Sequence, residues 1–155
     1  IPLLEGRGLQ HKISLFTKKI NLIDESYNAS PESMKICVDY LEEIKVKGNQ
    51  KKILILGDMK ELGNESINYH IKLLKYVGTK NLKNIIICGE LMELALDKLK
   101  NNKILNSRII IMKNLKLILK YLKKIVNNDD IVLIKGSNSS LTNNLSQEIL
   151  KKGSS

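Results

Sequence analysis

The chain alternates short apolar runs with stretches of helical period, and from residue 50 onward the alternation is regular. The runs Ile53-Leu54-Ile55-Leu56, Ile85-Ile86-Ile87-Cys88, Ile109-Ile110-Ile111-Met112 and Ile131-Val132-Leu133-Ile134 are continuous and rich in β-branched residues. A strand with one wet face would alternate apolar and polar positions. Unbroken runs predict strands buried on both faces, hence a mainly parallel sheet covered by helices. Between the runs, apolar residues recur every three or four positions: Met34, Cys37, Val38, Leu41 and Ile44; Ile67, Ile71, Leu74 and Val77; Leu91, Leu94, Ala95 and Leu99; Leu115, Ile118, Leu119, Leu122 and Ile125; then Leu141, Leu145 and Ile149. Each stripe predicts an amphipathic helix with one face on the sheet. Upstream, the runs 11–16 and 20–24 flank Thr17-Lys18-Lys19 and predict a short hairpin. The expected fold is α/β and Rossmann-like: a mainly parallel sheet of about six strands, helices on both faces and an N-terminal β-hairpin.

A length of 155 residues fits one domain, able to bury roughly 70% of its unfolded surface without disulfide or metal staples. Residues 1–10, with Pro2, Gly6 and Gly8, read as a connector, 11–152 as the domain, and Gly153-Ser154-Ser155 as a disordered tail. The chain opens on Ile1 without the basic-then-apolar order of a signal peptide, which predicts a piece of a longer protein. No apolar run approaches the ~20 residues that a membrane-spanning helix needs. Cys37 and Cys88 lie among aliphatic residues, with no second Cys or His at metal-ligand spacing. That pattern predicts buried free thiols in a reducing cytoplasm. The net charge of +10 raises the question of a nucleic-acid partner, but all cations except Arg7 and Arg108 are lysines, spread along every helix without interleaved aromatics. A solvated lysine surface is the expectation, with no nucleic-acid and no membrane partner.

Ligands of open parallel α/β sheets bind outside the carboxyl ends of the strands, where loop amides and helix N-termini converge. The residues that follow the apolar runs can therefore be taken as one surface. They are Asp24, Glu25, Tyr27 and Asn28; Gly57, Asp58 and Met59; Gly89 and Glu90; and Lys135, Gly136, Ser137, Asn138 and Ser139. In the first group Ser30 is a good N-cap and Pro31 suits the first helical position. Its acids either aim at a ligand or serve a helix start that favours negative charge. The run Lys135-Gly136-Ser137-Asn138-Ser139-Ser140 either cradles an anion on successive backbone N–H groups or is an ordinary strand-to-helix turn. Gly6-Arg7-Gly8 lacks a third glycine and a preceding strand, and no Gly-x-x-x-x-Gly-Lys-Ser/Thr occurs, so neither nucleotide fingerprint is complete. His70 is expected to pack or cap rather than act as a base.

As a set, these residues resemble a known family. Asp24-Glu25-Ser26-Tyr27-Asn28-Ala29-Ser30-Pro31-Glu32-Ser33-Met34 is similar to the Asp-Asp-x-Tyr-Asn-Ala-Asn-Pro-x-Ser-Met segment of MurF-type Mur ligases. Gly57-Asp58-Met59-Lys60-Glu61-Leu62-Gly63 with His70 resembles that family's Gly-Asp-Met-x-Glu-Leu-Gly…His block. Cys88-Gly89-Glu90, Lys135-Gly136-Ser137 and Gly6-Arg7-Gly8 resemble its later strand ends and its interdomain junction. Glu25 and Ser30 stand where many members have Asp and Asn, which leaves open whether Asp24 or Glu25 makes the ligand contact.

The resemblance implies the C-terminal domain of a cytoplasmic ligase of peptidoglycan synthesis, joining D-alanyl-D-alanine to UDP-N-acetylmuramoyl-tripeptide with ATP and Mg²⁺. It implies partners in the N-terminal and central domains of the same enzyme, which carry the phosphate loop, the metal ligands and the nucleotide-sugar pocket. It also implies that Arg7, Asp24, Glu25 and Asn28 face ATP, that Tyr27, Asp58, Lys135, Gly136 and Ser137 face the dipeptide, and that the isolated domain is inactive. A stand-alone nucleotide- or anion-binding module using the same rim is the alternative.

Overall fold

The apolar runs form a six-stranded sheet in the computed structural model, which describes residues 10–137 and 140–153. The elements are β1 (Gln10–Leu15), β2 (Lys18–Glu25), α1 (Pro31–Glu43), β3 (Lys52–Leu56), α2 (Ser66–Gly78), β4 (Asn84–Ile87), α3 (Glu90–Lys98), α4 (Lys103–Arg108), β5 (Ile109–Ile111), α5 (Leu115–Ile125), β6 (Ile131–Lys135) and α6 (Leu141–Gly153). Strand order is β1-β2-β6-β3-β4-β5, parallel throughout except for the antiparallel β1–β2 hairpin. The α/β class, the parallel sheet and the N-terminal hairpin are as the patterning implied.

Alternation along the strands divides the core in two. Ile23, Leu54, Leu56, Ile85, Ile87 and Leu133 face α1, α2, α3 and α4, while Leu22, Ile53, Ile55, Ile86, Val132 and Ile134 face α5 and α6. The handedness rule accounts for the order. Right-handed crossovers through α1 to α4 carry the chain outward from β2 to β5 over one face, and α5 returns it across the other face. The returning strand β6 slots between β2 and β3, a position that no local pattern marks.

Three details depart from the periodicity. The hairpin loop is Phe16-Thr17, both at positive φ (50° and 68°), so Lys18 and Lys19 belong to β2; the two-residue turn needs left-handed residues to match the strand twist. On α3 the buried side chains are Met92, Ala95 and Leu96, while Leu94 is 53% exposed. The short α4, capped by the Asn102 side chain on the Leu105 N–H at 3.0 Å, has too few residues for a stripe to register. Residues 1–9, 154 and 155 lie outside the described residues, and so does most of the expected connector. Gly153, expected in the tail, ends α6 against Ile13. No helix among the described residues is long and apolar enough to cross a membrane.

Candidate functional site

The parallel strands end together on one rim, and the hydrogen-bond register sets who stands beside whom. Glu25 of β2, Lys135 of β6 and Leu56 of β3 occupy one row across three adjacent strands. Loops leave β6 and its neighbours toward opposite faces of the sheet, which is where open α/β sheets form a ligand crevice. Lys135 is 1% exposed and its Nζ donates to the Asn28 carbonyl at 2.5 Å, tying the β2–α1 turn to β6. Glu25 is buried beside it, so an acid and a base of opposite charge share a dry row.

Asp24 precedes Glu25 and therefore points to the other face. It is half-buried, and one carboxylate oxygen accepts the Ser26 N–H at 3.1 Å and the Ser26 hydroxyl at 2.6 Å. Tyr27 and Asn28 follow on the loop crest and are exposed, Tyr27 at 78%. The crest then drops into α1 through a reciprocal cap: Ser30 Oγ accepts the Ser33 N–H at 3.1 Å, and Ser33 Oγ accepts the Ser30 N–H at 2.9 Å.

The β3 and β6 turns are stitched edge to edge. Gly57 N–H donates to the Lys135 carbonyl at 2.8 Å, and Ser137 N–H donates to the Asp58 carbonyl at 3.0 Å. Thr142, fully buried at the start of α6, fills the hollow left by the missing side chains of Gly57 and Gly136. A Cβ at Gly136 would stand 2.0 Å from Thr142 Oγ1. Ser137 Oγ is buried and has no hydrogen-bond partner among the described residues.

Asp58, expected among the dipeptide contacts, has its carboxylate on the start of α3, accepting the Leu91 N–H at 3.2 Å and the Met92 N–H at 3.0 Å. It serves as the cap that Gly89 cannot supply. Arg7, Asn138 and Ser139 lie outside the described residues. Two surface concavities of about 280 and 410 Å³ open at the opposite end of the sheet, around Gln50, and take in none of the motif residues.

Burial pushes the Cys88 thiol up to about 12, with the Asp58 charge adding to it, and Cys37 is also buried and in no disulfide. A thiol that holds its proton is a poor nucleophile. Ellman's reagent at pH 8 is therefore expected to leave both cysteines unmodified in the native chain and to titrate both in denaturant; rapid native reaction at either would contradict this burial.

Comparison with known proteins decides the family. The profile of the Mur ligase glutamate ligase domain matches residues 12–138. The chain belongs to the Mur ligase family. Among characterised Mur ligases it is similar to the UDP-N-acetylmuramoyl-tripeptide–D-alanyl-D-alanine ligase of Rickettsia prowazekii, at 30% identity over 88% of this chain and 28% of that protein. It is similar to the ligase of the same name from Buchnera aphidicola subsp. Baizongia pistaciae, at 29% identity over 98% of this chain and 30% of that protein. The chain thus spans less than a third of these relatives' length. Its fold matches that of the MurF ligase from Thermotoga maritima in complex with ADP, with a TM-score of 0.73 at 23% identity, over 99% of this chain and 32% of that one. MurF from Acinetobacter baumannii gives the same TM-score of 0.73 at 21% identity, over 97% of this chain and 31% of that one.

Proposed function

We propose that this Mur ligase chain is the C-terminal domain of the ATP-dependent enzyme that adds D-alanyl-D-alanine to UDP-N-acetylmuramoyl-tripeptide. The observation that carries the reading is convergence. The runs 24–34, 57–63 and 135–137, distant in sequence, meet on one rim in a domain whose relatives bear that enzyme's name. The ADP in the Thermotoga maritima structure supports ATP as co-substrate.

In this reading the rim closes over a nucleotide held by the central domain. Arg7 approaches its phosphates, Asn28 the edge of the cleft, and Asp24 the ribose, because Asp24 is the more accessible of the two neighbouring acids. Glu25 balances the buried charge of Lys135. Tyr27 and the Lys135-Gly136-Ser137 turn face the dipeptide, whose amine attacks an acyl phosphate; the rim contributes orientation and charge rather than a nucleophile. Mg²⁺ falls in this reading mainly to the central domain; among the described residues of this chain no three His, Cys, Asp or Glu side chains gather to hold a metal ion. The enzyme works in the cytoplasm, in keeping with two cysteines that no disulfide joins.

The test is phosphate release by the complete ligase, which should require ATP, UDP-N-acetylmuramoyl-tripeptide and D-alanyl-D-alanine together, while the 155-residue chain alone stays at background. Asn28→Ala in the complete enzyme is expected to lower kcat/KM at least about tenfold, ~1.4 kcal/mol of transition-state stabilisation. Its melting temperature should not move, because Asn28 is exposed. Glu25→Ala and Lys135→Ala should lose both activity and melting temperature, since both side chains are buried. Turnover by the isolated chain, or an Asn28→Ala enzyme as active as the wild type, would count against the proposal.

A further inference from the structure

The Gly57-Asp58-Met59 turn is held from several directions, and one hold is of a different kind from the rest. Strand ends and the start of α3 take the Gly57 N–H, the Asp58 carbonyl and the Asp58 carboxylate. The Met59 N–H instead donates to a side chain, His70 Nε2 on α2, at 3.0 Å. The order of that bond follows from chemistry. His70 Nδ1 lies 2.7 Å from the Ser66 carbonyl oxygen, which can only accept, so Nδ1 carries the hydrogen and Nε2 presents its lone pair. The ring is fully buried, as is the Met59 side chain, so solvent does not stand in for either partner.

We propose that His70 is a positioning residue for the rim. By accepting the Met59 amide it sets the 57–59 turn, and through the Asp58 carbonyl it sets the Ser137 amide and the aim of the buried Ser137 hydroxyl. His70 touches no substrate; it acts on the Lys135-Gly136-Ser137 turn through one intervening residue pair. The catalytic half of this inference rests on the reading of that turn as the dipeptide site, whereas the mechanical half rests on geometry alone.

Three substitutions separate positioning from bulk. His70→Gln extends as far as Nε2 and offers a carbonyl oxygen to Met59; His70→Asn reaches only the Nδ1 position; His70→Leu offers neither. In the 155-residue chain, amide exchange followed by NMR should leave Met59 and Ser137 protected in wild type and His70→Gln. In His70→Asn and His70→Leu both amides should exchange at least about tenfold faster relative to the core amides of Val132 and Ile86, which report global opening. Should the leucine variant not fold, the asparagine variant supplies the same comparison.

In the complete ligase, His70→Asn and His70→Leu should raise KM for D-alanyl-D-alanine at least about fivefold and leave KM for UDP-N-acetylmuramoyl-tripeptide within about twofold, with His70→Gln near wild type. A purely structural role would lower kcat by removing folded enzyme and would leave both KM values alone. The proposal is overturned if Ser137 exchange stays at its wild-type level while that of Met59 rises, or if the glutamine variant behaves as the leucine one. A wild-type enzyme indifferent to the dipeptide would instead sink the functional reading, and the exchange comparison would still decide the mechanical link.

Discussion

Replacing Asp130 by alanine is expected to destabilise the domain by about 3–5 kcal/mol. Its side chain is fully buried, and its two oxygens serve three donors: the Lys51 N–H at 2.8 Å, the Lys51 ammonium at 2.7 Å and the Asn127 N–H at 2.8 Å. Alanine removes all three acceptor contacts at once. The Lys51 side chain, 27% exposed, recovers part of its loss by turning to water, but the two backbone N–H groups, just before β3 and in the segment after α5, stay where the fold puts them. A backbone donor left without a partner costs about 1–3 kcal/mol where water cannot reach it, so these two carry most of the penalty.

The Asp130 backbone matters as well. Its carbonyl accepts the Asn21 N–H at 2.8 Å, and the neighbouring Asp129 carbonyl accepts the Asn21 and Gln50 amides at 2.9 and 2.6 Å. This turn is therefore the point at which the starts of β2, β3 and β6 are joined. Lys51→Met keeps both backbone donors but leaves the buried Asp130 carboxylate without its counter-charge, so it should cost more than the ~1 kcal/mol of an exposed pair and less than Asp130→Ala. Urea unfolding of the chain, with slopes compared to verify two-state behaviour, measures both. An Asp130→Ala variant no less stable than Lys51→Met would show that the backbone donors find other partners.

Gly89→Ala is expected to cost about 2–5 kcal/mol, from two sources that a double-mutant cycle separates. The first is conformational. Gly89 sits at φ 117° and ψ 151°, a region that essentially only glycine occupies. The second is steric: a Cβ there would lie 2.3 Å from Asp58 Oδ1, the oxygen that caps the Met92 N–H. Alanine must therefore displace the carboxylate from the helix it caps. In an Asp58→Ala background the obstacle is gone and only the backbone strain remains, so the same substitution should cost less by at least about 1 kcal/mol. Equal costs in the two backgrounds would mean that strain alone carries the effect. Gly48→Ala supplies a reference, since Gly48 is also at positive φ, 56°, but has nothing within 4 Å of its Cβ position. Backbone strain of about 1–2 kcal/mol is all that should appear there.

Much of the rim was legible in advance because strand ends announce themselves. An apolar run followed by acids, amides or glycine marks a carboxyl terminus, and three such ends meet in the row of Glu25, Lys135 and Leu56. What the residue types did not reveal was the direction of each side chain. Asp58 looked like a ligand contact from its place after β3, yet its carboxylate turns to α3, 33 residues downstream at Leu91. The 127–130 turn bears no mark in the sequence, because its partners at Lys19, Asn21 and Gln50 lie far away along the chain.

From its sequence alone the protein was committed to buried parallel strands, to a hairpin at the start, and to helices whose apolar stripes demand a sheet to cover. Those commitments are local: a continuous β-branched run or a stripe with period near 3.6 states which residues must leave water, whatever they meet there. Tertiary structure decided the rest. It placed β6 between β2 and β3, turned Met92 rather than Leu94 to the core, and gave His70 and Asp58 their backbone partners. The apolar pattern records the need for burial but not the identity of the neighbour that satisfies it. Hydrogen bonds between distant turns form only after packing has brought them within about 3 Å of one another, so the wiring of this rim belongs to the folded chain.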